Sequence, residues 1–286
     1  MRELLDAFEQ RLDPRAPDAK VLAYGEVSAA LLIPGLEGRV AKRMAGFANM
    51  TMARSYVDLV ARYIEILTSC GISVVPTETV VVPRSGRPVV YLVQPLLADL
   101  GNDLLRSGVP LRGLIEPVLD RVWALYERSG TPEVAIDAQL SNWSFTGDPV
   151  LLDVGTPFMR DGGGYLFDEE ILLSAIPGVA RWYYRRKGSI AEYMDDYFSP
   201  RLVAVDLLGN FIKEGAAARL PDGLSVANAW LDGRGLEPID GREVTAYYEQ
   251  DAATLELFLR VRRIDRAFKS LVRRDYDFVL PGPVKR

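Results

Sequence analysis

The sequence predicts an α+β protein of two lobes: a β-rich N-terminal lobe over residues 1–95 and a mainly helical C-terminal lobe over 96–286. Three observations predict it. Short apolar or alternating runs, separated by glycine and proline, fill most of the first hundred residues. A single amphipathic helical stretch interrupts them. Beyond Pro95 the apolar residues recur at helical rather than strand spacing.

Taken in order, Leu4, Leu5, Phe8 and Leu12 lie at helical spacing, and Pro14 ends that helix. Residues 21–24, 29–33 and 39–44 follow as three antiparallel strands parted by Gly25, Pro34-Gly35 and Gly38. A helix over 53–69 carries the apolar stripe Val57, Val60, Ala61, Ile64 and Leu67, with Gly71 as its C-cap. Valine-rich strands over 74–82 and 88–93 flank a turn-forming stretch, which makes five strands around one helix. Residues 112–129 form a long helix with Leu114, Val118, Val122 and Leu125 on one face. Helices are also predicted over 168–187, 189–197, 200–214 and 243–274. One small hairpin, 143–145 with 150–152, interrupts them at Thr146-Gly147-Asp148-Pro149.

The chain has 286 residues, no histidine and one cysteine. A Ser-His-Asp or Cys-His nucleophile system therefore lacks its base. A zinc site containing histidine is impossible, and Cys70 alone forms neither a thiolate cluster nor an internal disulfide. Catalysis would have to rest on carboxylates, Lys, Arg, Tyr, Ser or Thr, or on a hard cation held by oxygen. Lysine and arginine total 34 against 39 acids, with a pI near 5.1. That balance lacks the basic footprint of a nucleic-acid protein. The first thirteen residues are too charged for a signal peptide, and no apolar run is long enough to cross a membrane. The expected setting is cytoplasmic.

The most informative stretch runs from Ala135 to Gly155. Asp137 and Asn142 are five apart, and Asp153 follows the apolar strand of the hairpin, two residues before Gly155. Of five asparagines only Asn142 has an aspartate five positions before it. Each residue alone has an ordinary reading, as a turn, cap or strand-end residue. Asp161-Gly162-Gly163 also fits D-x-G, but it lacks the preceding apolar strand.

The order D-x-x-x-x-N, hairpin, D-x-G resembles the catalytic loop and metal-binding segment of the protein-kinase-like fold. It lies closer to the small-molecule phosphotransferases (aminoglycoside and choline kinase relatives) than to eukaryotic protein kinases. The resemblance implies a bilobal protein-kinase-like fold and an ATP- and magnesium-dependent phosphotransferase acting on a hydroxyl of a small molecule. By it, Asp137 is the catalytic base, and Asn142 and Asp153 hold Mg2+ against the nucleotide phosphates. It extends upstream through Val40-Ala41-Lys42, similar to the phosphate-binding lysine of V-A-I-K. The next helix offers Asp58 or Glu65 as that lysine's partner, with Glu65 preferred for its reach. Residues 91–96 resemble the hinge, where Gln94 and Leu96 would border the adenine.

The departures have consequences. No G-x-G-x-x-G loop is present, Ala135 stands where the family often has histidine, and no A-P-E follows Asp153. The last two point away from a protein kinase. The first motivates two alternatives: a kinase-like nucleotide-binding or regulatory module without turnover, or nucleotidyl transfer from the same site. The expected partners are nucleotide and a small-molecule acceptor, with neither nucleic acid nor membrane. Remaining charge clusters have structural readings. Residues 182–187 mix aromatics with basic groups at a helix end. Asp168-Glu169-Glu170 opens a helix, Asp195 and Asp196 are read alike, and the arginines over 260–274 line a solvated helix face.

Overall fold

The computed structural model describes residues 1–13, 17–24, 28–84, 87–168, 171 and 194–250. Helix α1 (Arg2–Arg11) precedes strands β1 (Lys20–Tyr24), β2 (Ser28–Leu32) and β3 (Arg39–Met44). Helix α2 (Met50–Ser69) follows, then β4 (Ser73–Val74), β5 (Glu78–Val82) and β6 (Val89–Pro95). An antiparallel five-stranded sheet runs in the order β1-β2-β3-β6-β5. The predicted strand over 74–82 is thus two pieces. Pro76, which cannot donate to a ladder, lies between them.

Strand β6 is buried on both faces, which explains its unbroken apolar run. Side chains alternate across the sheet. Tyr91 and Val93 face an outer apolar layer with Ala29, Leu31 and Ala41, covered by Leu5, Phe8 and Leu12 of α1. Val90 and Leu92 face inward, into a second core that takes in α2 and the helices of the C-terminal part. Lys42 on β3 pairs with Leu92 in register and lies on the inward side.

Helix α2 begins three residues earlier than predicted. The Asn49 side chain caps it by accepting from the Met52 amide at 2.9 Å. Its buried face is also rotated from the predicted stripe. Ala53, Tyr56, Val60, Tyr63 and Leu67 are inside, while Val57 and Ile64 are only partly buried.

The C-terminal part is mainly helical: α3 (Gly101–Ser107), α4 (Arg112–Tyr126), α5 (Pro200–Lys213) and α6 (Leu220–Asp232), with residues 241–250 also helical. Between α4 and α5 come β7 (Glu133–Val134), a 3₁₀ turn (Leu140–Asn142), β8 (Trp143–Ser144), β9 (Val150–Leu151), β10 (Met159–Asp161) and β11 (Gly164–Tyr165). Strand β4 pairs in parallel with β9, so residues on either side of the predicted lobe boundary share a three-stranded sheet. The alternative D-x-G at Asp161 is a hairpin turn. Gly162 and Gly163 both take positive φ, +56° and +83°, as a two-residue connection between β10 and β11 requires. No described helix is long and apolar enough to cross a membrane. Residues 172–187 and 189–193 of two predicted helices, the aromatic-basic run 182–187, and 251–274 of the last helix lie outside the described residues.

Candidate functional site

The segment after β7 is held by backbone bonds at each step. The Ala135 amide donates to the Phe158 carbonyl at 2.9 Å, and the Asn142 amide to the Gln139 carbonyl at 2.8 Å. The Leu152 amide donates to the Asn142 carbonyl at 2.8 Å. That last bond ties the 3₁₀ turn to the end of β9, so Asn142 and Asp153 cannot move independently. Gln94 adds a further tie from the sheet: its buried amide donates to the Leu152 carbonyl at 2.8 Å and to the Thr77 hydroxyl at 3.0 Å.

Lys42 reaches across from β3, and its Nζ lies 2.5 Å from Asp153 Oδ1. The Gly155 amide donates to the same oxygen at 2.8 Å. The two side chains are 18% and 33% exposed, so the pair is shielded from water yet open on one side. Glycine at 155 leaves room for this contact. A Cβ at that position would sit 3.1 Å from Lys42 Nζ and 3.3 Å from Asp153 Oδ1. Burial alone would raise the Asp153 carboxyl. The Lys42 charge and these two hydrogen bonds outweigh it and hold the group below the ordinary aspartate range.

Asp137 behaves in the opposite way. Burial, helped by the negative charge of Asp153, pushes its carboxyl up to about 6. The Gln139 amide, 2.8 Å from Oδ1, opposes that shift, as do the charge of Lys213 and a side-chain hydrogen bond with Asn142. The oxygens of Asp137, Asn142 and Asp153 suit a hard cation. Among the described residues no group of three His, Cys, Asp or Glu side chains gathers to form a metal cage. One carboxylate and an amide, Asp153 and Asn142, would suit Mg2+, which takes one or two protein carboxylates and completes its shell with water and substrate phosphate.

The structure thus brings Lys42, Asp137, Asn142 and Asp153 together, with Gln94 bracing them from behind. It does not bring Glu65 to Lys42. Asp58 and Glu65 lie on the exposed side of α2, and among the described residues the Lys42 ammonium pairs with Asp153. Leu96 follows directly on Gln94 and Pro95 at the end of β6. Its amide is committed to the Gly38 carbonyl at 2.8 Å and its side chain is 50% exposed.

Three residues escaped sequence reasoning. Tyr56 and Tyr63 of α2 donate their hydroxyls to the carbonyls of Gly155, at 2.8 Å, and Ala135, at 2.7 Å. Their seven-residue spacing on one helix face was a visible signal, hidden because tyrosine was not counted in the apolar stripe. Lys213 ends α5 and donates to Gln139 Oε1 at 3.1 Å, with no sequence motif to mark it. Two surface cavities, of about 480 and 310 Å3, lie away from the carboxylates, at Met1–Arg2 with β5 and between α2 and Leu166–Ile171.

Residues 33–266 match a family of unknown function (DUF6206), and the chain belongs to that family. Among curated proteins none matches the chain significantly. Among solved structures, aminoglycoside 2'-phosphotransferase-IIIa in its GDP complex is similar to this chain at 13% identity and a TM-score of 0.35. The match covers 79% of this chain and 95% of that one. The streptomycin-ATP-APH(2")-IIa ternary complex is similar at 12% identity and a TM-score of 0.33, over 79% and 94% of the two chains.

Proposed function

We propose that this protein is a kinase-like phosphotransferase that moves a phosphoryl group from ATP to a hydroxyl of a small molecule. One observation carries the reading. Lys42 on the sheet and Asp153 after the hairpin, 111 positions apart, form an ion pair, and Asp137 and Asn142 stand beside it. Phosphoryl transfer asks a protein mainly for positioning and for neutralisation of phosphate charge. In this reading Asn142 and Asp153 hold Mg2+, which supplies the positive charge that phosphate oxygens need. Asp137, with its raised proton affinity, accepts the proton of the acceptor hydroxyl. Lys42 exchanges its contact with Asp153 for phosphate oxygen. Residues 1–95 and 96–286 act as the two lobes that close on the nucleotide. Gln94 and Leu96 border the base through side-chain and carbonyl groups, since the Leu96 amide is engaged.

The absence of a G-x-G-x-x-G loop favours a second reading, a nucleotide-binding module without turnover. Product mass spectrometry with ATP, Mg2+ and a panel of amino sugars, nucleosides and amino alcohols separates the readings. The proposal expects an acceptor heavier by one phosphate, lost in Asp137→Ala and Asp153→Ala while both variants stay folded. Transfer of a whole nucleotide, thermal stabilisation without product, or undiminished transfer by those variants would each overturn it.

A further inference from the structure

Helix α2 offers Lys42 no carboxylate, yet two of its side chains bond to the two acidic loops. Tyr56 and Tyr63 are seven apart, so both project from one face of the helix. Each is fully buried. The Tyr56 hydroxyl donates to the carbonyl two residues after Asp153. The Tyr63 hydroxyl donates to the carbonyl two residues before Asp137. A buried carbonyl that loses its donor is costly, so both bonds persist through motions that leave the core packed. Burial, with the negative charge of Asp153, pushes both phenols well above their usual range, and both remain donors at any ordinary pH. Phe47 at 5.1 Å and Phe167 at 6.2 Å from Tyr56, between ring centroids, keep its ring from swinging away.

We infer that Tyr56 and Tyr63 are positioning residues, a pair of struts by which α2 sets the separation and aim of the Asp153 and Asp137 loops. The inference rests on the phosphotransfer reading and adds a division of labour to it. Tyr56 serves the segment that carries Asp153, and Tyr63 the Ala135 end of the other loop, next to Asp137. Asn142, at that loop's far end, is held by the Leu152 amide. Loss of either hydroxyl therefore has its own kinetic signature.

The test uses the full chain carrying Tyr56→Phe, Tyr63→Phe or Trp230→Phe. The last removes a donor to Asp120, 2.8 Å away in the C-terminal part and remote from the site. Two quantities are read: Mn2+ affinity in the presence of ATP, by electron paramagnetic resonance, and the rate and KM of ADP formation from Mg-ATP. Tyr56→Phe should weaken Mn2+ binding about tenfold. Tyr63→Phe should lower turnover about tenfold at unchanged Mn2+ affinity and unchanged KM. Trp230→Phe should lower the thermal midpoint and move neither. Equal, unspecific losses in all three variants, or tyrosine variants indistinguishable from wild type, overturn the inference alone. Wild-type protein that binds no Mn-ATP overturns the phosphotransfer reading and the inference with it. If wild type binds Mn-ATP but turns none over, the Tyr56→Phe affinity decides the inference by itself.

Discussion

Asp137 and Asp153 are electrostatic neighbours, but their environments give them opposite energetic signs. Asp153 has Lys42 2.5 Å away, so its charged form is favoured on folding. Its stabilising contribution is present above the ordinary value of 3.8 and is lost as pH falls through the lower folded value. Asp137 is buried beside Asp153, and its folded value is raised to about 6. A raised carboxyl opposes folding above that pH and ceases to do so as pH falls toward 3.8. Asp137→Asn is therefore expected to be more stable than wild type near pH 7.5, by on the order of 1 kcal/mol after allowing for partial solvent screening. The gap should narrow to about a third of that by pH 4.5 and close below the ordinary value of 3.8. Asp153→Asn should be less stable than wild type at pH 7.5. Urea denaturation at the two pH values measures both signs, and a destabilised Asp137→Asn at pH 7.5 would refute the assignment. In the phosphotransfer reading activity would follow the same group: a base with a value of about 6 is ionised above it, so transfer should fall on the acid side. The chain has no histidine to supply a competing limb.

At the scale of elements, α1 shows how a polar residue can be made to dock a helix. Glu9 is buried on α1, where it accepts from Arg43 Nε at 2.9 Å, from Arg43 and Arg84 terminal nitrogens at 2.6 Å each, and from the Tyr91 hydroxyl. Burial by itself would raise its carboxyl, but the paired arginines hold it below the ordinary value. Its contribution is thus present above pH 4.5 and lost as pH falls below. Glu9→Ala withdraws the carboxylate from two arginines and should cost about 3 kcal/mol. Amide hydrogen exchange in α1 should speed up well before the rest of the sheet. An α1 that exchanges as slowly as in wild type would show that Leu5, Phe8 and Leu12 suffice. None of this was visible in the sequence, because the partners are 34 to 82 positions apart. What the sequence does display is local periodicity, and strands β1 to β3 and helix α4 follow from it closely. It misleads where one residue type has two meanings. Helix α6 is not among the predicted helices, and Pro221 sits in its first turn, where it has no bond to lose. Gly223 is there for packing, since a Cβ would meet the Phe211 ring at 2.8 Å. The set Asp137, Asn142 and Asp153 was legible because its spacing is local. Its supports, Tyr56, Tyr63 and Lys213, come from other elements, and their tertiary contacts leave no motif.

At the scale of the whole molecule, the core does not divide where the composition changes. One apolar cluster runs from Met44 and Phe47 through Tyr56, Tyr63 and Leu92 to Trp143, Phe211 and Val244. Strand β4 joins β9, and the Val75 amide donates to the Leu151 carbonyl at 2.9 Å. Strand β6 links this core to the outer layer under α1, because its two faces belong to different clusters. Cooperativity depends on shared buried surface, so both halves should unfold together. All four tryptophans follow residue 122, and their fluorescence reports the C-terminal part. Hydrogen exchange of the β6 amides reports the sheet. The two probes should give the same free energy of opening, and separate values would place an independent boundary near Pro95. Ligand linkage makes the comparison stricter. Mg-ATP at about a hundred times its dissociation constant adds about 2.7 kcal/mol to the state that binds it. A site built from Lys42 on the sheet and Asp137, Asn142 and Asp153 beyond α4 exists only when both halves are folded. The nucleotide should then slow β6 exchange and raise the tryptophan midpoint, by about 5 °C, in step. A shift confined to one probe would mean that the nucleotide is held by one half alone, and the Lys42–Asp153 pair would then lie outside its site.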